Sequence, residues 1–246
     1  GALAIGVSVA QNAIGDPDDD ANQILAFVND SNLTVGGGVS ISASTDASIT
    51  ANLVAASVAV SLSAGSGGAL TAGGVFAFND IAQNIEAYVA GASSAQLGSL
   101  SITAEDTSDI TASGVGAAVA GSLSGNNGGA ISVGISLSHN TIESDVTARI
   151  PDVDSLVTLN GGIALAANGS AAISAVSTAA SVSASFSSNN SLALAGGGAG
   201  ARNTVLSDTN ATIENSDIDG APGGVALTAQ SQSTITSKVV AVAAGV

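Results

Sequence analysis

The run Ser48–Leu70, SITANLVAASVAVSLSAGSGGAL, decides the fold. From Ile49 onward one parity carries Val54, Val58, Val60 and Leu62, while the other carries Ala51, Ala55, Ser57, Ala59 and Ser61. Side chains that alternate with period two belong to a β-strand, because successive residues of a strand point to opposite faces. The alternation here sets large against small rather than apolar against polar. The segment GSGG, Gly65–Gly68, then supplies the residues of a tight turn. Past that turn the pattern returns in a second strand. Leu3, Ile5, Val7 and Val9 alternate with Ala4, Gly6, Ser8 and Ala10 at one place in the chain, and Ile131, Val133, Ile135 and Leu137 with Ser132, Gly134, Ser136 and Ser138 at another. Two long strands about a tight turn predict a hairpin arm. Shorter strands are expected after it, such as Ile85 to Val89 and Leu100 to Ala104.

The same scheme recurs along the chain. Asn-x-Ile/Val occurs at Asn12, Asn79, Asn140 and Asn203; an Ile anchor at Ile49, Ile110, Ile173 and Ile235; an Ala anchor at Ala26, Ala87, Ala148 and Ala211. Three columns in step define a period of about sixty-two residues, which marks a stacked array. Cuts at the Gly/Asn-rich turns give repeats 1–67, 68–128, 129–190 and 191–246, the last incomplete, in a single array covering 1–246. The expected fold is all-β: a parallel β-solenoid or stacked β-rung array, each repeat with a long uncharged hairpin arm and an acidic end. In such a stack like residues lie over like residues at about 4.8 Å. One large rung per repeat and three smaller coils predict the same period.

Composition narrows the class. Hydrophobic residues make up 46%, but the aromatics are four Phe and one Tyr, and charged residues are only 9%, against roughly 25% in an ordinary soluble domain. Low charge with high apolar content does not describe a disordered chain. The chain has no Cys, so it offers neither a disulfide framework nor a thiol nucleophile; a Cys-free acidic array suits an extracellular or cell-surface setting. The net charge of −16 argues against nucleic acid or an anionic membrane as partner. Residues 50–79 and 110–142 contain no Asp, Glu, Lys or Arg, and the carboxylates gather between the Asn and Ile anchors.

The arms SITANLVAASVAVSLSAGSGGAL, DITASGVGAAVAGSLSGNNGGAI (Asp109–Ile131) and AISAVSTAASVSASFSSNNSLAL (Ala172–Leu194), each followed by the Asn anchor, resemble the long repeat regions of giant secreted bacterial surface proteins, the adhesin and filamentous-haemagglutinin-like class of β-solenoids. The resemblance covers the whole chain and rests on composition and repeat style. It implies an extracellular stalk, fibre or adhesive array, and it transfers no site residue.

Residue chemistry points the same way. Asn12, Asn79, Asn140 and Asn203 are expected to form a structural amide ladder at a bend, since Asn tolerates the left-handed conformation there. His139 is the one histidine, and its column holds Gln11, Phe78 and Arg202 in the other repeats; a general base needs a positioned partner, which the column does not supply. The Gly-rich turns lack the Lys-Ser/Thr and helix of a phosphate loop. No enzyme activity is expected, and no cofactor beyond calcium. Asp16, Asp18, Asp19 and Asp20 of the insertion GDPDDD, with the Asp-x-Asp pairs Asp152/Asp154 and Asp217/Asp219, are the candidate calcium ligands, hard carboxylate oxygens at an acidic end that a divalent ion would neutralise. An acidic solvated loop is the alternative.

A membrane-embedded reading fails on detail. Ser, Gly and a turn interrupt each uncharged stretch, and five aromatics cannot form the girdles of a transmembrane barrel. The chain starts and stops on half-arms, which predicts either a segment of a longer array or head-to-tail association into a homopolymer. The expected function is a structural extracellular filament or stalk. The alternative is an adhesin or surface-binding module for polysaccharide or ice, for which the row Thr50, Thr111, Ser174 and Thr236 gives support. A polysaccharide-active enzyme is the least favoured class, because Arg149, Arg202 and Lys238 are scattered in the sequence.

Overall fold

A computed structural model describes residues 1–16 and 21–246. Fifteen strands follow one another, and the described residues contain no helix: β1 (Ala2–Ile14), β2 (Asn22–Asn29), β3 (Leu33–Thr45), β4 (Ser48–Ser63), β5 (Gly67–Ala90), β6 (Ala95–Asp106), β7 (Asp109–Ser124), β8 (Asn127–Pro151), β9 (Leu156–Thr158), β10 (Ile163–Gly169), β11 (Ala172–Ser187), β12 (Asn190–Glu214), β13 (Ile218–Gly220), β14 (Val225–Ser231) and β15 (Thr234–Gly245). They form three sheets. The first has the order β1-β5-β8-β12, with β2 also on β5; the second joins β3, β6, β9, β10, β13 and β14; the third runs β15-β11-β7-β4.

Every pairing is parallel, and no strand pairs with its successor in the chain. Register keeps like over like: Asn12 lies beside Asn79, Asn79 beside Asn140 and Asn140 beside Asn203, while Ile110 lies between Ile49 and Ile173. The backbone groups of an inner strand are thus satisfied by strands roughly sixty residues away on either side.

This arrangement corrects the hairpin expectation. β4 and β5 flank the turn at Ala64–Ser66, yet β4 belongs to the third sheet and β5 to the first. The two strands stack face to face instead of exchanging hydrogen bonds. A tight turn between two strands is compatible with either geometry; here the interior side chains decide it, because Ala, Gly and Ser let the two sheets close on one another.

The small parity is the inner one. Ala51, Ala55, Ala59, Ala112, Ala118, Ala120 and Ala130 are buried between the first and third sheets, and Val54, Val58, Val60 and Leu62 face outward with 60–74% of their surface exposed. On the other side of the arm, Leu3, Ile5, Val7 and Val9 also face outward. One column makes the close approach explicit. Gly6, Gly73, Gly134 and Gly197 lie side by side in the first sheet. A Cβ on Gly6 would come within 2.8 Å of the Ala56 carbonyl oxygen and one on Gly197 within 3.0 Å of that of Val242; at Gly134 and Gly73 it would lie deeper still inside Ala180 and Ala117. Hydroxyls share this interior. Ser57, Thr71, Ser132, Ser181, Ser183 and Ser185 are buried there without a hydrogen-bond partner among the described residues.

Beyond the Asn column the cross-section widens. The second halves of β5 and β8 pack on the second sheet through Ile85, Val89, Leu97, Leu100, Ile102, Val146, Ile150, Leu156, Ile163 and Leu165, all buried. Each such side chain contributes about 1.5–3 kcal/mol, so stability concentrates in this body. The corner between the first and second sheets is left-handed at every visit: Asp30 has φ 48°, Gly91 64°, Asp152 55° and Asn215 47°. These residue types bear a positive φ at least cost, and three of the four donate their N–H to the neighbouring pass of the chain, Asp30 to Ala90 O, Gly91 to Pro151 O and Asp152 to Glu214 O.

Candidate functional site

Three features of the first sheet join residues distant in sequence. The innermost is the amide row. Asn12 Nδ2 donates to Asn79 Oδ1, Asn79 Nδ2 to Asn140 Oδ1, and Asn140 Nδ2 to Asn203 Oδ1, each at 2.7 Å. Asn79 and Asn140 are fully buried. The row does not sit at a left-handed bend as anticipated. It lies in the middle of long extended strands, beside Ile81, Ile142, Ile110 and Ile173, where the arm meets the body. The bend belongs instead to Asp30, Gly91, Asp152 and Asn215. An inward amide in a strand has no local carbonyl to bond, and stacking on its own kind satisfies it at the spacing of neighbouring strands.

The second feature is an aromatic and cationic column on the outer face of the body. Phe27 stacks on Tyr88 with ring centroids 5.1 Å apart and planes within 6°. The Arg149 guanidinium lies 4.9 Å from the centre of the Tyr88 ring, and its Nε donates to Glu86 Oε1. Phe27 is 53% exposed. Tyr88 is covered on one face by Phe27 and on the other by Arg149, so the free aromatic surface of the column is the outer face of Phe27, with the Arg149–Glu86 pair beyond Tyr88. The sequence carries a signal for it: Phe27, Tyr88 and Arg149 each follow Ala26, Ala87 or Ala148 directly, and the parallel register places them in one column. Their separation in sequence hid the cluster.

The third is a shallow groove of about 390 Å³ on the outer face of the arm, lined by Phe76, Phe78, Leu137, His139, Gly200 and Arg202 among others. Phe78 lies beside His139, and Arg202 on its other side; the Phe78 and His139 rings are 6.5 Å apart. His139 thus sits in a strand column of a sheet surface.

The acidic candidates Asp152, Asp154, Asp217 and Asp219 lie on neighbouring passes of the chain. Asp152 occupies the left-handed corner. Asp219 Oδ2 accepts a hydrogen bond from Ser155. The backbone N–H of Asp154 bonds to Ala92 O and that of Asp217 to Val153 O. Among the described residues no three acidic or histidine side chains come together as a metal cluster. Asp18, Asp19 and Asp20 lie outside the described residues, and Asp16 ends the segment before them. Elsewhere Asp145 and Asp208 are paired neighbours on β8 and β12; partial burial, then the Asp208 charge, raises the Asp145 carboxyl above its ordinary value. Asp106 is fully buried, and its Oδ1 accepts from Ser108 N and Ser108 Oγ, which closes the turn between the second and third sheets.

The row Thr50, Thr111, Ser174 and Thr236 is in register and exposed on the outer face of the third sheet. No helix of the described residues is long and apolar enough to cross a membrane. Comparison with protein-family models, curated proteins and solved structures finds no match to the chain.

Proposed function

We propose that the chain is a β-solenoid of four large rungs, one per repeat of about sixty-two residues, and serves as a structural segment of an extracellular filament or stalk that associates end to end with copies of itself. The observation that carries this reading is the in-register column of like residues, and above all the amide row through Asn12, Asn79, Asn140 and Asn203. That row has a direction. It leaves an acceptor, Asn12 Oδ1, toward one end and donors on Asn203 toward the other, so a copy stacked head to tail continues it. The edge strands β1 and β12 likewise offer backbone groups to a further strand.

The reading assigns no catalytic residue. Calcium enters it as a neutralising ion for the acidic end, with Asp16, Asp152, Asp154, Asp217 and Asp219 as the described candidates. The test is electron cryo-microscopy of the purified chain with and without chelator. Filaments with a layer spacing of about 4.8 Å support the proposal, and their loss in chelator assigns the ion a role. Discrete particles of one chain at high concentration refute end-to-end association.

A binding module for surface polysaccharide is the second reading, and the exposed Phe27–Tyr88 stack with Arg149 and Glu86 favours it. Sugars lay their apolar ring faces on an exposed aromatic face such as the outer face of Phe27. Glycan-array binding that Phe27→Ala abolishes supports this reading; binding unchanged by that substitution places any ligand elsewhere.

A further inference from the structure

We propose that the outer face of the third sheet is a lateral pairing surface, and that its occupant is the same face of a second copy of this chain. The observation is the inversion of the arm: small residues inside, large aliphatic residues outside. Outward Val54 and Leu62 expose 70% and 74% of their surface. A monomer seldom leaves a contiguous apolar patch of more than a few hundred Å² uncovered. Nine residues from Val54 to Leu62 at about 3.3 Å, across four strands at about 4.8 Å, outline about 550 Å². Two such faces together exclude water from about 1,100 Å², which clears the roughly 1,000 Å² that a specific interface requires.

Relief and charge both select a copy as the partner. Val58, Val119 and Val182 form one ridge along the stack, and Ala56, Ala117 and Ala180 form the trough beside it. The next ridge, through Leu62, Leu123 and Phe186, stands four residues away, about 13 Å. On β7 and β11, where Gly121 and Ala184 keep the second trough open, this relief fits a copy of itself shifted by half that spacing, as in a steric zipper; β4 fills that trough with Val60, and β15 places Val242 in the first trough and Ala244 on the ridge. The chain carries a net charge of −16, so two copies repel wherever their acidic bodies approach. The third sheet from Val54 to Leu62 and from Val115 to Leu123 has no charged residue, and contact there brings no carboxylates together. A lipid surface fits less well, because the open edges of β4 and β15 would lie unsatisfied in hydrocarbon. Lateral pairing uses sheet faces and end-to-end growth uses sheet edges, so either can fail while the other stands.

The chain has no cysteine, which makes the test direct. Val119→Cys on the third sheet and Thr147→Cys on the outer face of the acidic body, beside Glu86, are treated with a short bismaleimide reagent, since facing sheets about 10 Å apart are too distant for a disulfide. Dimers crosslinked through Val119→Cys but not through Thr147→Cys are expected. In sedimentation velocity the double substitution Val58→Lys/Val119→Lys raises the dimer dissociation constant at least tenfold while the far-ultraviolet circular dichroism stays unchanged. Should the lysines unfold the arm, Val58→Thr/Val119→Thr keeps the strand preference and still weakens the dimer at least threefold. A chain that stays monomeric at every concentration, equal crosslinking through both cysteines, or dimers indifferent to the substitutions overturns the proposal. So does protection of the Val119→Cys thiol by neutral lipid vesicles without dimer formation, which identifies lipid as the occupant.

Discussion

Gly73 and Gly74 are consecutive in β5 and face opposite sides of the first sheet, so adding one methyl group to each gives opposite results. At Gly73 the new Cβ falls inside the carbonyl of Ala117 on the third sheet, and no side chain can swing away because the obstacle is backbone. The sheets must part locally by about 1.3 Å to restore contact at 3.4 Å, an overpacking that costs about 1–3 kcal/mol. At Gly74 the nearest atom to a new Cβ is Phe76 Cε2 at 3.4 Å. That is ordinary contact on an outward face, so Gly74→Ala stabilises by about 0.5–1 kcal/mol through lost freedom of the unfolded chain. The column is graded too. Gly73→Ala costs most, Gly134→Ala next, and Gly6→Ala and Gly197→Ala least, in the order of the approach to Ala117, Ala180, Ala56 and Val242. Urea unfolding followed by circular dichroism reads the differences directly. A Gly73→Ala protein no less stable than Gly74→Ala refutes the close packing of the two sheets, and with it the assignment of the small parity to the interior.

Three further outcomes follow from other positions. Asn140→Ala removes a donor and an acceptor from the middle of the amide row and strands Asn79 Nδ2 and Asn203 Oδ1, which costs about 2–5 kcal/mol, whereas Asn12→Ala breaks one terminal bond for about 1 kcal/mol; equal losses in urea unfolding contradict the ladder. Asp106→Ala leaves the Ser108 N–H without its acceptor and lowers stability by about 1–3 kcal/mol, while Asp46→Ala, at the exposed equivalent turn, changes it little. The raised Asp145 carboxyl is favoured when protonated in the fold, so its contribution is fully present below its unfolded value and is lost as pH rises through its folded one. Asp145→Asn therefore stabilises at neutral pH and loses that advantage in acid; thermal unfolding at both pH values checks the sign.

The strands and the columns of like residues were legible from Ser48–Leu70 and its equivalents, because parallel in-register pairing sets like residues beside like. Which parity faced inward was not. Large aliphatics normally go inside, and only the approach of the third sheet to Gly73 and Gly134 shows that the arm reverses the rule. The hairpin expectation failed for a related reason: Gly65–Gly68 turns the chain in either case, and the partner strand is chosen by residues about sixty positions away. The Asn anchors bond amide to amide in mid-strand, and the bend falls on Asp30, Gly91, Asp152 and Asn215, a mixed set that no single letter marks. The column of Phe27, Tyr88 and Arg149 follows the Ala anchors, but its members are about sixty residues apart and differ in type, so no single letter marks it.

All the sheet hydrogen bonds point along one direction, from each pass of the chain to the next. Pulled by its two ends, such a molecule does not shear as a unit; it pays out thread. Each pass released between Ile110 and Ile173 frees about sixty-two residues, or about 210 Å of extended chain at about 3.4 Å each, at the force needed to peel one row of bonds after another. A chain stacked this way lengthens in even steps under load and dissipates work at each one, while the passes still stacked keep their amide row intact.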